Sequence, residues 1–470
     1  MYDFLLDYTK IKNFILNSLT KRQLPSVSGI QDTPFSFFAF SFLLRKTYTK
    51  SQQEAQMTVL VGRRRIGKTE LALRCGHEGS LLYFFVARKS ENMLCQDFKE
   101  EAERKLDMPL GNYSSFAELF HQLLFISQSH PFTLVIDEFQ DWLRINPSIF
   151  SEMQREWDLA KSKSKMNLII SGSIYSLMHR IFEDSKEPLF SRANRIINLR
   201  AFDTDVLKEI LHDFNPNYTA SDLLTLYTLS NGVAWYVNLF MSNGKTTSQK
   251  MLNMQTEENS PFINEGKNIL IEEFGTDYAN YFSILSCIAC GEVTRAQIEA
   301  LTGIKEVGGY LERLKSHYNL IERHVPIFSK PKSKSVRYIL SDNFLIFWFR
   351  FFYKYQNFIE SGALNQLHRI IMRDISTVEG FMLERYFRQK LSESQQYTQI
   401  GQFWDRKGGN EIDIVAINEI DGIIDIYEVK KDKFRYDESL LKQKVDYMLQ
   451  VYPELKKLEI RLGCLSLEDM

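Results

Sequence analysis

The stretch Val61-Gly62-Arg63-Arg64-Arg65-Ile66-Gly67-Lys68-Thr69 decides the fold of the first half of this 470-residue chain. It fits the pattern GxxxxGK[ST], in which the backbone N–H groups of a glycine-rich loop surround the phosphates of a nucleotide. The lysine reaches the outer phosphates, and the final hydroxyl ligates Mg²⁺. The predicted nucleotide-binding residues are Gly62, Arg63, Arg64, Arg65, Ile66, Gly67, Lys68, Thr69 and Glu70.

The sequence on both sides of this loop supports the same interpretation. Residues 57–61 are apolar and β-branched, as in a buried strand, and residues 70–74 continue as a helix. The phosphates would therefore lie at the positive N-terminus of that helix. Downstream, Thr133-Leu134-Val135-Ile136-Asp137-Glu138 is an apolar run that ends in two acids. The sequence thus predicts a protein that binds and hydrolyses a nucleoside triphosphate.

Phosphoryl-transfer chemistry assigns roles to these residues. Lys68 neutralises the β- and γ-phosphates, Thr69 and Asp137 hold Mg²⁺, and Glu138 orients and deprotonates the attacking water. Ser171 ends the next predicted strand, where it can touch the γ-phosphate or simply begin a turn. Arg192 and Arg195 precede the last strand, and either can stabilise charge in the transition state, in cis or in trans.

Length and composition limit the remaining possibilities. A chain of this length suggests roughly three domains. The apolar fraction of 44%, the charged fraction of 25% and the net charge of −1 exclude a uniformly basic binder, but not a local basic patch. Five cysteines without framework spacing suit a reducing cytoplasm, and we expect Cys287 and Cys290 to be two buried small residues. No apolar run reaches the ~18–20 residues of a membrane span, so we expect a cytoplasmic protein without a membrane partner.

The alternation of short apolar runs with amphipathic segments predicts the first globular domain. Apolar runs at 81–85, 134–136 and 167–170 are typical of strands, and segments at 91–106, 115–128 and 148–162 are typical of helices. This order predicts a parallel sheet covered on both faces. Residues 203 to about 242 then have leucine and tyrosine at helical spacing.

Two further units follow. Between 266 and 345, two short helical segments precede two apolar runs that flank the basic turn 330–334, which is a winged-helix pattern. From about 360, the sequence predicts a helix over 378–391, strands over 413–417 and 425–430 joined by Asp421-Gly422, and a helix over 440–449.

Taken together, four motifs in the first half of the chain resemble those of the archaeal-type ATPase family. The resemblance rests on residues 62–71, Ile136-Asp137-Glu138-Phe139-Gln140, Ser171-Gly172-Ser173 and Pro188-Leu189-Phe190-Ser191-Arg192. That family has an AAA+-like P-loop core related to the STAND signalling ATPases, commonly followed by a winged helix and a nuclease-like domain. It implies ATP as the nucleotide, an arginine near that nucleotide at Arg192, and a lid motif at 231–236, where Ala234 replaces the usual proline. The residues alone do not separate ATP from GTP.

The resemblance covers residues 55 to the C-terminus and divides the chain as an α/β protein. The predicted P-loop NTPase parallel sheet carries a helical lid, and a winged-helix domain and a restriction-endonuclease-like α/β domain follow. The predicted boundaries are 1–50 for an atypical segment, 51–200 for the ATPase core, 201–265 for the lid and linker, 266–358 for the winged helix and 359–470 for the nuclease-like domain. Nothing before 55 matches the base-contacting segment of the family, so we interpret residues 1 to about 43 as an aberrant or misread N-terminus.

A second set of chemistry-bearing residues lies in the last unit. Asp413 and the pair Glu428-x-Lys430 are on adjacent predicted strands, and Glu384 is on the preceding helix. Strand alternation puts Glu428 and Lys430 on one face. Two facing carboxylates can hold a second divalent metal, while the lysine positions a water for attack on a phosphodiester. This resembles the PD-(D/E)xK nuclease fold. The alternatives are an inactive nuclease fold or a charged, solvated hairpin.

The middle unit offers a contact for double-stranded DNA. Residues 281–354 contain eleven Lys or Arg and six Asp or Glu. The basic turn with Lys330, Lys332 and Lys334 can lie on phosphates while the helix with Lys305, Arg313 and Lys315 enters a groove. Winged helices also serve as protein-interaction modules.

Two hypotheses for the whole chain remain open. The first is a Mg²⁺-dependent P-loop ATPase coupled to a winged-helix and nuclease-like module that acts on DNA. The second is a nucleotide-gated regulatory or scaffold switch whose nuclease fold is inactive, with assembly as a homo-oligomer. DNA-stimulated turnover favours the first hypothesis, and slow, DNA-insensitive turnover with nucleotide-dependent assembly favours the second.

Overall fold

The computed structural model describes residues 37–74, 81–274, 278–291, 293–330, 333, 335–405 and 409–470. The chain forms two compact units, which divide between Ala201 and Phe202. Most of the N-terminal segment that the sequence marks as atypical, together with Lys332, Lys334 and Cys75, lies outside the described residues.

The first unit is built on a five-stranded parallel sheet within the described residues. Its strands are ordered β2-β3-β4-β1-β5, so that β4 lies between β1 and β3. The strands are β1 (Gln56–Val61), β2 (Leu81–Phe85), β3 (Thr133–Asp137), β4 (Asn167–Ser171) and β5 (Arg195–Asn198). The helices are α1 (Phe37–Ser51), α2 (Lys68–Arg74), α3 (Glu91–Leu106), α4 (Phe116–Ile126), α5 (Trp142–Ile145), α6 (Ile149–Ala160) and α7 (Tyr175–Glu183).

The prediction of an α/β fold with a parallel sheet is confirmed, and its physical cause is the composition of the strands. Every residue of β3 and of β4 is buried, as expected of central strands that helices cover on both faces. The predicted strands at 81–85, 134–136 and 167–170 are present, as are the helices predicted near 91–106, 115–128 and 148–162.

The second unit begins with helices and continues to the C-terminus. Its first helices are α8 (Thr204–Phe214), α9 (Ala220–Ser230), α10 (Ala234–Ser242), α11 (Ser248–Gln255) and α12 (Phe262–Phe274). Asn231 ends α9 in the left-handed conformation with φ +50°, and Gly232 follows with φ +70°. This pair turns the chain so that α10 starts at Ala234, the position where the family that the sequence resembles usually has a proline.

The helices and the hairpin predicted in the middle unit are present. They are α13 (Ala279–Ala289), α14 (Arg295–Thr302), α15 (Gly308–Glu312) with a π-helical turn at Arg313–His317, and the antiparallel strands β6 (Ile321–His324) and β7 (Arg337–Leu340). A capping box between Thr294 and Gln297 starts α14, and Gly303 ends it with φ +71°.

The segment that joins β6 and β7 packs on the C-terminal sheet. Ile327 is 4% exposed and belongs to the core of that sheet. The N–H group of Ile327 donates to the carbonyl of Gln402 at 2.7 Å, and the indole of Trp404 donates to the Ser335 hydroxyl at 3.1 Å. Part of the predicted wing therefore packs against the C-terminal sheet.

The C-terminal part combines a long helix with a four-stranded sheet within the described residues, in the order β11-β10-β9-β8. Its elements are α16 (Asn343–Phe347) with a π-helical turn at Trp348–Tyr353, α17 (Gln356–Glu360), α18 (Leu364–Glu393), β8 (Gln399–Trp404), β9 (Glu411–Asn418), β10 (Ile423–Val429), α19 (Glu438–Val451) and β11 (Glu459–Leu465). The hairpin of β9 and β10 turns at Gly422, with φ +69°. The sequence analysis did not predict β8 or β11.

One cysteine expectation is wrong. Cys287 is half-buried and Cys290 is exposed, so the two are not the buried pair that the apolar sequence around them predicts. Cys287 lies on a less buried face of the last turn of α13, and Cys290 is the residue that follows this helix as its C-cap. Among the described residues, no helix is long and apolar enough to cross a membrane.

Candidate functional site

The glycine-rich loop connects β1 to α2, and its geometry depends on Gly62. A Cβ atom at this position would lie 2.8 Å from the carbonyl oxygen of Leu199. A larger residue would therefore push the loop away from the backbone at Leu199. Gly67 has φ +100° and turns the chain into α2. Lys68 is only 6% exposed, and its ammonium group donates to the carbonyls of Gly62 at 2.7 Å and Arg63 at 3.0 Å. The lysine charge is thereby held inside the loop.

Asp137 ends β3 and collects hydrogen bonds from two neighbouring strands and from α2. Its Oδ2 atom accepts from the Thr69 hydroxyl at 2.7 Å and from the Tyr83 hydroxyl at 2.9 Å. Its Oδ1 atom accepts from the Ser171 hydroxyl at 2.5 Å and from the N–H group of Glu138 at 3.0 Å. The residues predicted to hold Mg²⁺ thus lie in direct contact. Ser171, predicted at the phosphate end of β4, joins them.

Tyr83 is a member of this site that the sequence analysis missed. It lies on β2, two residues before Phe85, and Phe85 is in register with Asp137 on β3. Burial of the phenol raises the pKa of Tyr83, and the nearby charge of Asp137 raises it further. The hydroxyl group therefore stays protonated and acts as a hydrogen-bond donor to the carboxylate. Only the pairing of β2 with β3 reveals this role.

Glu138 has a conformation that requires support from its neighbours. Its φ of +54° lies in the left-handed region, which costs a residue other than glycine free energy. Its Oε2 atom accepts from the Ser173 hydroxyl at 2.7 Å and from the Gln140 amide at 2.5 Å. A Cβ atom at Gly172 would collide with the Gln140 side chain, so this glycine makes room for the amide. The carboxylate is held at the end of β3 beside Asp137.

The remaining predicted residues of the first unit have other contacts. Glu70 pairs with Arg74 at 2.5 Å, and Ile66 is buried with 4% exposure. Arg192 donates to Asp158 at 3.0 Å and to the carbonyl of Phe190 at 3.0 Å. Arg195 starts β5 and pairs in register with Thr58. A nucleotide contact by Arg192 or Arg195 stays a prediction. Arg63, Arg64 and Arg65 lie in the loop itself.

The second predicted set of residues lies at one end of the β9–β10 pair. The Oδ2 atom of Asp413 accepts from the N–H group of Val429 at 2.8 Å. Glu428 forms an ion pair with Lys430 at 2.8 Å and with Lys444 at 3.0 Å. Burial raises the pKa of the Asp413 carboxyl to about 6, and the negative charge of Glu428 contributes to the shift. The two carboxylates therefore lie close enough to repel each other.

Lys444 on α19 is the residue of this cluster that the sequence analysis missed. Its ammonium group reaches both carboxylate oxygens of Glu428, at 3.1 Å and 3.0 Å, and its side chain is 15% exposed. The predicted helix over 440–449 contains this residue, but no local pattern indicates that this helix packs beside β10. Glu384 on α18 contributes to raising the pKa of Lys430, after the hydrogen bond and charge of Glu428, so it lies within electrostatic reach.

The two clusters differ in how readily they fit a divalent ion. Thr69 and Asp137 offer a hydroxyl and a carboxylate at one point, the hard oxygen donors that Mg²⁺ prefers beside substrate phosphates. At the second cluster, both oxygens of Glu428 are covered by ammonium groups, and among the described residues no group of three or more His, Cys, Asp or Glu could hold a metal. An ion there would need a substrate phosphate to complete its shell, and would displace an ammonium group from Glu428.

The raised pKa of Asp413 makes a prediction about stability. A carboxyl whose pKa is raised on folding, here from 3.8 to about 6, is destabilising once it ionises. We expect Asp413→Asn to unfold much like the wild type near pH 4, and to become progressively more stable than the wild type up to about pH 7, by on the order of 2–3 kcal/mol. Thermal unfolding in EDTA across this range measures it. A constant difference at every pH would contradict the burial of this charge.

A known family and a known protein are each similar to part of this chain. Residues 348–442 match the family model DUF234, described as archaeal and bacterial proteins of unknown function. The uncharacterized protein MJECL04 of Methanocaldococcus jannaschii is 27% identical over 384 residues, which are 80% of this chain and 82% of that protein.

Solved structures with low sequence identity also resemble the chain. The Walker-type ATPase PABY2304 of Pyrococcus abyssi is 18% identical, with a TM-score of 0.49 over 66% of this chain and 95% of that one. The ORC2 protein of Aeropyrum pernix, solved with ADPNP and ADP, is 12% identical, with a TM-score of 0.43 over 72% and 94%. The sheet order and the glycine-rich loop after β1 give the first unit a P-loop type of α/β fold, and residues 348–442 are similar to the DUF234 family.

Proposed function

We propose that this chain binds ATP with Mg²⁺ and hydrolyses it. The observation that carries the proposal is the four-donor environment of Asp137, which brings the loop threonine, the end of β4 and the backbone of Glu138 to one point. A structural carboxylate would rarely gather the hydroxyl of a phosphate-binding loop in this way. The choice of ATP follows the family resemblance.

The residues of the chain then have distinct tasks. Lys68 supplies positive charge to the β- and γ-phosphates from within the loop, and the N–H groups at the start of α2 add to it. Mg²⁺, when bound, would neutralise part of the negative charge of the phosphates, which would otherwise repel the attacking oxygen. Thr69 and Asp137 are the residues that would hold it. Ser171 and Tyr83 keep the carboxylate of Asp137 oriented through their hydrogen bonds.

Glu138 is the residue that we assign to the attacking water. Its carboxylate stands at the end of the strand next to the phosphate site, and Ser173 and Gln140 fix its direction. A water that donates to the Oε1 atom of this group can transfer its proton there as its oxygen bonds to the γ-phosphorus, while the bond from that phosphorus to the bridging oxygen breaks and ADP leaves with that oxygen. Arg192 completes the proposal as the residue that stabilises the transition state, as the resemblance implies.

Calorimetry tests nucleotide binding directly. We expect Mg²⁺-ATP to bind the wild-type protein, and Thr69→Ala to keep the affinity measured in EDTA while losing the gain that Mg²⁺ provides, because its hydroxyl is the predicted metal ligand. GTP titrated beside ATP decides the base preference. The absence of heat with both nucleotides, on protein that is folded by circular dichroism, would refute the proposal.

We also propose that the C-terminal unit, by which we mean the nuclease-like domain at residues 359–470, acts on DNA as a metal-dependent nuclease. Its support is the meeting of Asp413, Glu428 and Lys430 at one end of a sheet, within the order helix, three strands, helix, strand. Asp413 and Glu428 would hold a divalent metal together with a phosphate oxygen of the substrate, and Lys430 would position the attacking water. Coupling to ATP, contact with DNA by the middle unit and assembly into a homo-oligomer belong to the same proposal.

The same cluster also supports the alternative. Glu428 is already neutralised by two lysines, so this fold can be a binding module that has no need of a metal. In that case, nucleotide state would control assembly or DNA occupancy, without cleavage. Turnover of ATP that does not respond to DNA, together with nucleotide-dependent assembly, would select this second function.

A further inference from the structure

A basic turn with an exposed aromatic tip follows β10 directly. Residues 430–435 read Lys-Lys-Asp-Lys-Phe-Arg, with four basic residues and one acid, hence a local charge of 4 − 1 = +3 in a chain whose net charge is −1. Phe434 is 96% exposed, the highest value among the large apolar side chains of the described residues. We call residues 432–436 the tip turn. An aromatic ring left in water between two cations needs an explanation, because such rings are normally at least partly buried.

The tip turn has a defined conformation. The Asp432 carboxylate accepts from the N–H group of Phe434 at 3.0 Å, and the backbone carbonyl of Asp432 accepts from the backbone N–H group of Arg435 at 3.1 Å. The N–H group of Tyr436 donates to the Lys433 carbonyl at 3.0 Å, and the Tyr436 ring packs against the core of the sheet. The Phe434 ring is therefore displayed by a closed turn that is anchored at its C-terminal end.

The tip turn lies at the same end of the sheet as the carboxylate and lysine cluster. Lys430 is the partner of Glu428, and its N–H group donates to the carbonyl of Leu465 at 3.0 Å. Cys464 is in register with Glu428 on β11. Burial raises the pKa of the Cys464 thiol, while the charges of Lys430 and Lys433 oppose that shift, so Lys433 is close to this strand end. Three residues of sequence lie between Lys430 and Phe434.

A second exposed apolar residue of the same sheet provides a contrast. Ile420, at the turn between β9 and β10, is 87% exposed but lies between Glu419 and Asp421. Isolated apolar residues on a surface are common and need no function. The neighbours of Ile420 would repel a polyanion. Those of Phe434, the exposed side chains of Lys433 and Arg435, would attract it.

We propose that Phe434 stacks on an unpaired base of a DNA strand while Lys433 and Arg435 contact the flanking phosphates, which delivers that strand to the Asp413–Glu428–Lys430 cluster. Aromatic side chains between basic residues are the usual means of holding single strands, because every base has a stackable face and every linkage a phosphate. An anionic lipid surface would also accept a phenylalanine between cations, but it has no phosphodiester to present to the neighbouring cluster. This inference rests on the proposed action of the C-terminal unit on DNA.

Fluorescence anisotropy with a labelled single-stranded oligonucleotide tests the inference on the full-length protein in EDTA, so that cleavage cannot interfere. We expect Phe434→Ala to weaken binding about tenfold or more, since a stacked base contributes strongly, and Ile420→Ala to bind within about twofold of the wild type. The double variant Lys433→Gln/Arg435→Gln should lower the slope of log affinity against log salt by about 1.4. An oligonucleotide with 2-aminopurine should change its emission with the wild type and not with Phe434→Ala.

Each other outcome has a definite meaning. Equal binding by Phe434→Ala and Ile420→Ala would overturn the stacking role, as would an equal loss on a blunt duplex and on the single strand. If Phe434→Ala lost binding to phosphatidylglycerol vesicles but kept its binding to DNA, the stacking role would be overturned in favour of a lipid surface. Cleavage of plasmid is measured separately, so wild-type binding without cleavage would refute the nuclease and leave this inference standing.

Discussion

The variant Glu138→Gln is expected to lower ATP turnover at least 100-fold while Mg²⁺-ATP still binds. The amide keeps the size of the side chain and can still accept from Ser173, but it cannot take a proton from water. General bases of this kind typically contribute 10²–10⁴ in rate. Release of inorganic phosphate at saturating ATP measures the change in kcat, and calorimetry on the same sample shows that the affinity is retained.

Two further variants make this result specific. Glu100→Gln changes an exposed glutamate on α3 in the same way and should retain full turnover. Lys68→Ala should lose binding as well as hydrolysis, because its ammonium group, held within the loop, is the predicted contact of the β- and γ-phosphates. If Glu138→Gln retained more than about a tenth of the wild-type rate, Glu138 would not be the base, and a residue from another copy of the chain would have to supply it.

The second large effect is expected at Asp413. Asp413→Ala should abolish cleavage of plasmid DNA in Mg²⁺ or Mn²⁺, while ATP hydrolysis persists at the wild-type rate. The substitution removes one of the two carboxylates that would hold the metal and leaves the glycine-rich loop untouched, since that loop belongs to the other unit. Agarose electrophoresis of supercoiled plasmid, with and without ATP, follows nicking and linearisation.

The matched control lies in the same strand pair. Asp421→Ala removes an exposed acid from the turn between β9 and β10, at the opposite end from the cluster, and should cleave normally. Cleavage by Asp413→Ala at the wild-type rate would refute the metal role of this residue. The absence of cleavage by the wild type in every condition would favour the nucleotide-gated switch, with the C-terminal fold as a binding module.

Much of the first unit could be predicted because its signals are local. The loop at residues 62–69 is contiguous, and the apolar runs that form β1, β3 and β4 are short and contain β-branched residues, as is usual in central parallel strands. The proposed roles of Lys68 and Thr69 follow from their positions at the end of the loop, and those of Asp137 and Glu138 from their positions at the end of β3. The parallel sheet then brings the ends together without further information.

The second unit was less predictable because its contacts are not local. The strand β11 is not announced by a hairpin turn, because it joins the sheet by parallel pairing with β10 after a helix. Ile327 belongs to the core of the C-terminal sheet although its sequence position lies within the middle unit. The boundary predicted at residue 358 therefore divides residues that pack together.

The sequence by itself determined the nucleotide loop, the strand–helix alternation and the candidate acids, because each of these is written within a few consecutive residues. Only the tertiary structure decided that Tyr83 and Ser171 donate to Asp137, that Lys444 neutralises Glu428, and that Phe434 stands exposed beside that cluster. Hydrogen bonds, ion pairs and solvent exposure depend on which distant segments meet in space. Strand pairing and helix packing set those meetings, and no local pattern records them.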